Sequence, residues 1–292
     1  MKVVIALTLA LLPVALSAQD SAANHARQRA AWNQRQAPFR IAGNLYYVGT
    51  SELAAYLVTD PAGHVLIDAP LSESVPQVAA NIRSLGFRVR DVQRLLNNHA
   101  HWDHADGLAA FKQLSGATLW ASAGDRATLE SGEATDRDDM TPFAPVKVDN
   151  VLRDGEVIAV GATRITAHLT PGHTPGCTSF TLVTRDTAIE KGRPLNVLLA
   201  CSLTVAGQKL VGNDRYLGAV SDFRQSIDRL ATIKPDIFLN FHASGFDLAE
   251  KRKRQLDGDA AAFVDPVEWS RRRIAANEAF EAELVRQKRS TR

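Results

Sequence analysis

Cysteine is scarce in this chain: Cys177 and Cys201 are the only two among 292 residues. Two thiols exclude a disulfide-built scaffold and a tetrathiolate zinc site, so metal chemistry has to rest on histidine and carboxylate. An excess of charge of either sign is missing too, with 34 Lys and Arg against 32 Asp and Glu. That balance, with no aromatic-interleaved basic patch, argues against a nucleic-acid partner. No apolar run reaches the roughly 20 residues that a bilayer-spanning helix needs. Serine-based acyl-enzyme chemistry lacks its signatures, since there is no Ser-x-x-Lys, no Gly-x-Ser-x-Gly and no Walker loop. What is present is 45% hydrophobic content, enough to build the core of one large domain or two small ones.

The first 18 residues stand apart from the rest. Lys2 supplies one positive charge, Val3 to Leu16 is almost wholly apolar, and Ser17-Ala18 precede polar Gln19-Asp20. This is the pattern of a secretory signal peptide over residues 1–18, with no polar face at helical spacing to suggest a buried helix. A periplasmic or secreted protein follows, with no membrane association once the leader is removed. In that oxidising setting a disulfide persists, although spacing alone leaves open whether Cys177 pairs with Cys201. Residues 19–38 are polar, rich in Ala, Gln and Arg, and read as an N-terminal arm outside the core.

From Phe39 the chain alternates strands and helices. Strand patterns at Asn44-Leu-Tyr-Tyr-Val48, Ala54-Ala-Tyr-Leu-Val58 and His64-Val-Leu-Ile-Asp68 are separated by Gly and Pro turn signals and predict an antiparallel meander. Ser74-Val-Pro-Gln77 predicts a capping box ahead of a helix with Val75, Val78, Ile82 and Leu85 on one face. Further strands are expected at 94–97, 118–121, 146–148, 157–160, 163–169, 178–183, 196–201 and 236–240. Helices are expected near 106–114 and 125–131 and from Ser221 to Pro235. Each half reads as strands, a helix, then a strand, with no linker between them. Two sheets packed face to face, each covered outside by helices, make a four-layer αββα sandwich of the α/β class over residues 39–292. The basic stretch Lys251-Arg-Lys-Arg254 and the charged tail beyond Pro266 are expected to be solvated helix faces.

The chemistry concentrates in Asn98-His99-Ala-His-Trp-Asp-His104. In an extended stretch alternate side chains face one way, so His99 and His101 can converge on one ion while the following turn presents Asp103 and His104 to another. His173, in Thr170-Pro-Gly-His-Thr-Pro-Gly176, and His242, after the apolar strand 237–240, lie where strands exit into loops, the usual place for functional groups. His25, His64 and His168 fall in the arm or within strand patterns and are set aside. The natural division is His99, His101 and His173 on one ion and Asp103, His104 and His242 on a second, each ion keeping a position open for water. Two zinc ions so held would attack a carbonyl with a metal-bound hydroxide, Asp103 orienting the water. Asp68, at a strand end, suits a role orienting the metal loop.

These residues resemble the metallo-β-lactamase superfamily, whose fold is the sandwich expected above. The segments Gly43-Asn-Leu-Tyr-Tyr-Val-Gly49, Leu96-Asn-Asn-His-Ala-His-Trp-Asp-His104, Pro171-Gly-His-Thr-Pro-Gly-Cys-Thr-Ser179 and Phe263-Val-Asp-Pro266 resemble the third subclass of class B β-lactamases. That resemblance implies zinc-dependent hydrolysis of the β-lactam amide, hence antibiotic resistance, by a monomer acting on a small molecule. It also implies substrate-binding roles for Ser202 and Thr204. Glyoxalase II and lactonase relatives carry a bridging Asp on the strand that here reads Leu198-Leu-Ala-Cys-Ser-Leu-Thr204, which has no acid; a lactone or thioester hydrolase is the alternative. A one-residue slip would instead make Cys201 a thiolate ligand. The chain departs from the pattern at Asp106, where relatives more often carry Gly, and at Val205-Ala-Gly-Gln-Lys209.

Overall fold

The structure, a computed structural model, describes residues 13–290 and their side chains from residue 23 onward. Residues 1–12 of the expected leader lie outside the described residues. The first sheet takes its strands in chain order: β1 (Phe39–Ala42), β2 (Leu45–Tyr47), β3 (Tyr56–Val58), β4 (His64–Ile67), β5 (Val92–Leu96), β6 (Thr118–Ser122) and β7 (Asn150–Leu152). β1 to β4 form the antiparallel meander, and β4 to β7 run parallel. The second sheet has the order β12-β11-β10-β9-β8, from β8 (Val157–Val160), β9 (Thr163–Leu169), β10 (Thr178–Arg185), β11 (Pro194–Ala200) and β12 (Ile237–Asn240). Only its β11–β12 pair is parallel.

Strand periodicity decides what goes where. Tyr56, Val58, Val65, Ile67 and Leu96 enter one core with Ile165, Phe180 and Val197 of the second sheet, whereas Leu57, Leu66 and Leu95 enter a separate core. That second core is closed by α2 (Val75–Ser84), α4 (Leu108–Ser115) and α5 (Ala123–Ser131), through residues such as Val78, Ile82, Phe111 and Leu129. On the far side α6 (Ala219–Leu230) and α8 (Glu268–Ser290) cover the second sheet, Phe223 stacking on Phe280 at 4.9 Å. The four layers are as the sequence implies. Parallel pairs need crossover helices, and these leave the carboxyl ends of β5, β11 and β12 on one rim, where ligand sites of α/β sheets gather.

Several local expectations are corrected. The segment 146–148 is a loop that buries Val146 and Val148, and the strand lies at Asn150–Leu152. The helix expected at 106–114 is α4, and a separate short helix, α3 (Trp102–Ala105), precedes it across Gly107, whose Cβ would meet Ala69 O at 2.6 Å. Ser74 does not cap α2: its hydroxyl donates to Leu71 O and accepts from Leu71 N–H, because a 3₁₀ turn at Ser72–Ser74 precedes the helix. The arm is helical as α1 (Pro13–Trp32) and docks on the sandwich. Neither basic segment is merely solvated. α8 buries Trp269, Phe280 and Leu284, and in α7 (Leu248–Leu256) Lys251 is buried against equally buried Glu268. Sparse apolar residues among many charges hid both contacts.

Removing one partner of a buried ion pair leaves the other charge uncompensated. Lys251→Ala is therefore expected to lower unfolding free energy by about 3–5 kcal/mol. Lys253→Ala, in an exposed pair with Asp257, is expected to change it by less than about 1 kcal/mol. Denaturant unfolding of both variants checks the contrast, and equal values would contradict it.

Candidate metal centre

Four chain segments meet at the rim. The loop after β5 and α3 carry His99, His101, Asp103 and His104; the β9–β10 loop carries His173; the end of β11 leads to Ser202 and Thr204; and His242 follows β12. All six expected ligands come together. One ring nitrogen from each of His99, His101 and His173 lies within 4.8 Å of the other two. His99 Nε2 and His101 Nε2 are buried with no hydrogen-bond partner. His99 Nδ1 faces Asn98 Oδ1, and His173 Nδ1–H donates to Thr204 O at 2.7 Å, which leaves the opposite nitrogen of each ring for an ion. Burial pushes His99 and His101 well below the ordinary imidazole range and His173 down to about 4. All three are neutral at pH 7, the form that binds a cation.

The second group is tighter. His104 Nε2 lies 3.4 Å from Asp103 Oδ2, His242 Nε2 lies 3.3 Å from the same oxygen, and the two Nε2 atoms are 3.3 Å apart. Those are the edges of a tetrahedron, about 3.3–3.4 Å, around an ion about 2.0–2.1 Å from each ligand, which are zinc distances. Burial alone would raise Asp103, yet His104 and His242 hold it well below the usual carboxylate range. Burial would lower His104, but Asp103 and Asp68 outweigh it and bring it up to about 10. The outward nitrogens also meet acids: His104 Nδ1 is 3.3 Å from Asp68 Oδ2, and His242 Nδ1 is 3.4 Å from Glu52 Oε1. Such carboxylate backing fixes ring orientation and raises ligand basicity.

The family profile described as the Metallo-beta-lactamase superfamily matches residues 53–189. Among solved structures, the subclass B3 metallo-β-lactamase BJP-1 of Bradyrhizobium japonicum is 35% identical, with 89% of this chain and 98% of that one covered and a TM-score of 0.84. Native FEZ-1 metallo-β-lactamase from Legionella gormanii is 39% identical, covering 88% and 98%, again with a TM-score of 0.84. The chain belongs to the metallo-β-lactamase superfamily. Curated relatives within the superfamily point elsewhere for substrate. A hydroxyacylglutathione hydrolase of Jannaschia is 27% identical over 43% of this chain, which spans only 41% of that protein's length. The N-acyl homoserine lactonase AttM of Agrobacterium fabrum is 22% identical over 61% of this chain and 75% of its own length.

Two features at the end of β11 are further defined by the structure. Cys201 is tied to Cys177 in a disulfide, so the thiolate alternative for Cys201 fails and the position after it is Ser202. Ser202 Oγ and Thr204 Oγ1 are 2.9 Å apart and line, with His101, Asp103, His173 and His242, a cavity of about 660 Å³. A larger hollow of about 900 Å³, lined by residues including Asn44, Thr166, His168 and Lys234, contains none of the six ligands. His25, His64 and His168, set aside on sequence, pair with Trp102, Phe87 and Thr181.

Sequence reasoning missed Asp125. This buried carboxylate accepts from Ala100 N–H at 2.8 Å, Gly176 N–H at 2.8 Å and Thr174 Oγ at 2.9 Å, and so fastens the β5 loop to the His173 loop. Burial raises it to about 7 against those donors. Backbone contact is direct here, since a Cβ on Gly124 would sit 2.2 Å from Pro175 O. Nothing in its sequence context separates Asp125 from an ordinary first-turn helix acid. Asp125→Ala strands two buried N–H groups at about 1–3 kcal/mol each. It is expected to cut unfolding free energy by about 3 kcal/mol and zinc affinity by about 10–100-fold. Denaturant unfolding and competitive zinc titration check this; wild-type values in both would show that the carboxylate does not hold the loops.

Proposed function

We propose that this chain is a zinc-dependent β-lactamase: a monomeric, exported enzyme of residues 39–292 with two zinc ions, acting on a small-molecule cyclic amide. His99, His101 and His173 would hold one ion, and Asp103, His104 and His242 the other. The observation that carries the reading is the Ser202–Thr204 hydroxyl pair lining the same cavity as four of the six ligands, on a segment that carries no acid to bridge two metals. Likeness to subclass B3 structures over nearly their whole length supports it, against curated hydrolases matched over shorter stretches.

Zinc at these positions supplies a Lewis acid and a water acidified toward neutral pH. Asp103, whose carboxylate lies against His104 and His242, would orient the attacking water by accepting its hydrogen bond. Ser202 and Thr204 donate to the carboxylate of the substrate and fix its ring over the imidazoles. Ser202 Oγ contacts Thr204 rather than an imidazole, so Ser202 is not set up as an activated nucleophile.

The alternative, hydrolysis of a lactone or thioester, rests on the hydroxyacylglutathione hydrolase and lactonase relatives. One panel separates the two readings: a penicillin, a cephalosporin, a carbapenem, an acyl-homoserine lactone and a glutathione thioester, with zinc measured on the same sample. The expected outcome is β-lactam turnover that is lost in chelator and restored by zinc, with His242→Ala depleting chiefly one ion. Full turnover in excess chelator, or faster thioester or lactone hydrolysis, would overturn the proposal.

A further inference from the structure

Asp106, the departure noted in the sequence, has a partner. Arg29 of α1 places Nη2 2.5 Å from Asp106 Oδ2 and Nε 2.8 Å from Glu73 Oε1, while its guanidinium lies over the Trp102 ring at 5.3 Å. Asp106 is largely buried, and the same oxygen accepts from Ser72 N–H and Ser72 Oγ at 3.1 and 2.9 Å. One helical turn on from Arg29, Trp32 stacks on Trp102 at 5.8 Å and meets the His242 ring edge-on at 5.2 Å. Trp32, Gln28 and Met140 line the same ligand cavity as Ser202 and Thr204. The arm is also fastened by Thr50 Oγ to Trp32 O, Ser51 N–H to Gln34 O, Asn81 Nδ2 to Gln36 O and His25 against Trp102 and Thr141.

We propose that Arg29, clamped by Asp106 and Glu73, is a positioning residue that sets the Trp32 wall of the cavity and thereby the enzyme's preference for substrates with an aromatic side group. A guanidinium bridging two carboxylates has a fixed fork, so it defines where the helix sits as well as holding it. The wall it positions is apolar and aromatic, suited to a flat ring on the substrate rather than to a small hydroxyalkyl group. Arg29 itself contacts Asp106, Glu73 and the Trp102 ring and touches none of the six ligands. This rests on the β-lactamase reading for the identity of the substrate, but not for the clamp.

The test uses zinc-loaded chain carrying Arg29→Ala, Trp32→Ala, or both. For a penicillin with an aromatic side group, Arg29→Ala is expected to raise KM about tenfold with kcat within about twofold. A carbapenem with a small side group is expected to change by less than about twofold, and zinc content to stay at the wild-type value. The double variant should be no worse than Trp32→Ala, since both changes remove the same contact. Hydrogen exchange of residues 23–34 should rise in Arg29→Ala without any substrate present. Additive effects, equal changes for both substrates, or unchanged exchange would overturn the proposal. If the wild type hydrolyses lactones or thioesters in place of β-lactams, the functional reading fails by itself. The same comparison with aromatic and short acyl chains, together with the exchange measurement, then decides the clamp; with no turnover at all, exchange alone decides it.

Discussion

The centre depends on two buried carboxylates that bind no ion. Asp68 accepts from Asn98 N–H at 2.9 Å and from the Asn98 amide, and Asp125 accepts from Ala100 N–H two residues on. Between them they fix alternate peptides of the stretch that carries His99 and His101, which is why both rings face one point. Asp68 adopts a left-handed backbone conformation, φ 64°, at the turn where β4 ends. A non-glycine residue holds that conformation at a cost, offset here by the hydrogen bonds its side chain makes. Without these acids the loop would have buried N–H groups to satisfy and no defined direction for its imidazoles.

The same logic extends outward. Asp125 reaches across to the His173 loop, the disulfide Cys177–Cys201 ties that loop to the end of β11, and Thr204 O returns to the His173 ring. Three of the segments that build the site, drawn from both sheets, are thereby joined through short contacts. The fourth, at His242, is joined to the first sheet by its bridge to Leu53 and by Glu52 against its ring. Preorganisation of this kind lets a binding cation release protons without reshaping the site.

The cluster of six side chains was legible because its signal is local: four donors within six residues, and two more histidines at strand exits. The two-sheet architecture was legible from period-two alternation and the repeated order of elements. What stayed hidden is long-range. Asp125 and Glu52 act on residues 25 to 190 positions away, and no local pattern marks an acid as a backing group for a distant loop. The arm was misread because Trp32 and Arg29 are isolated among polar residues, although each finds a partner on the sandwich. Lys251 sits in a run of four basic residues, and only packing distinguishes it from its solvated neighbours.

The central claim is that six side chains from three segments form two adjacent zinc positions. Anomalous diffraction at the zinc absorption edge from crystals of zinc-loaded protein tests it directly. The account predicts two peaks, one about 2.0–2.1 Å from nitrogens of His99, His101 and His173 and one at the same distance from Asp103, His104 and His242. A single peak, or peaks away from these side chains, would contradict it.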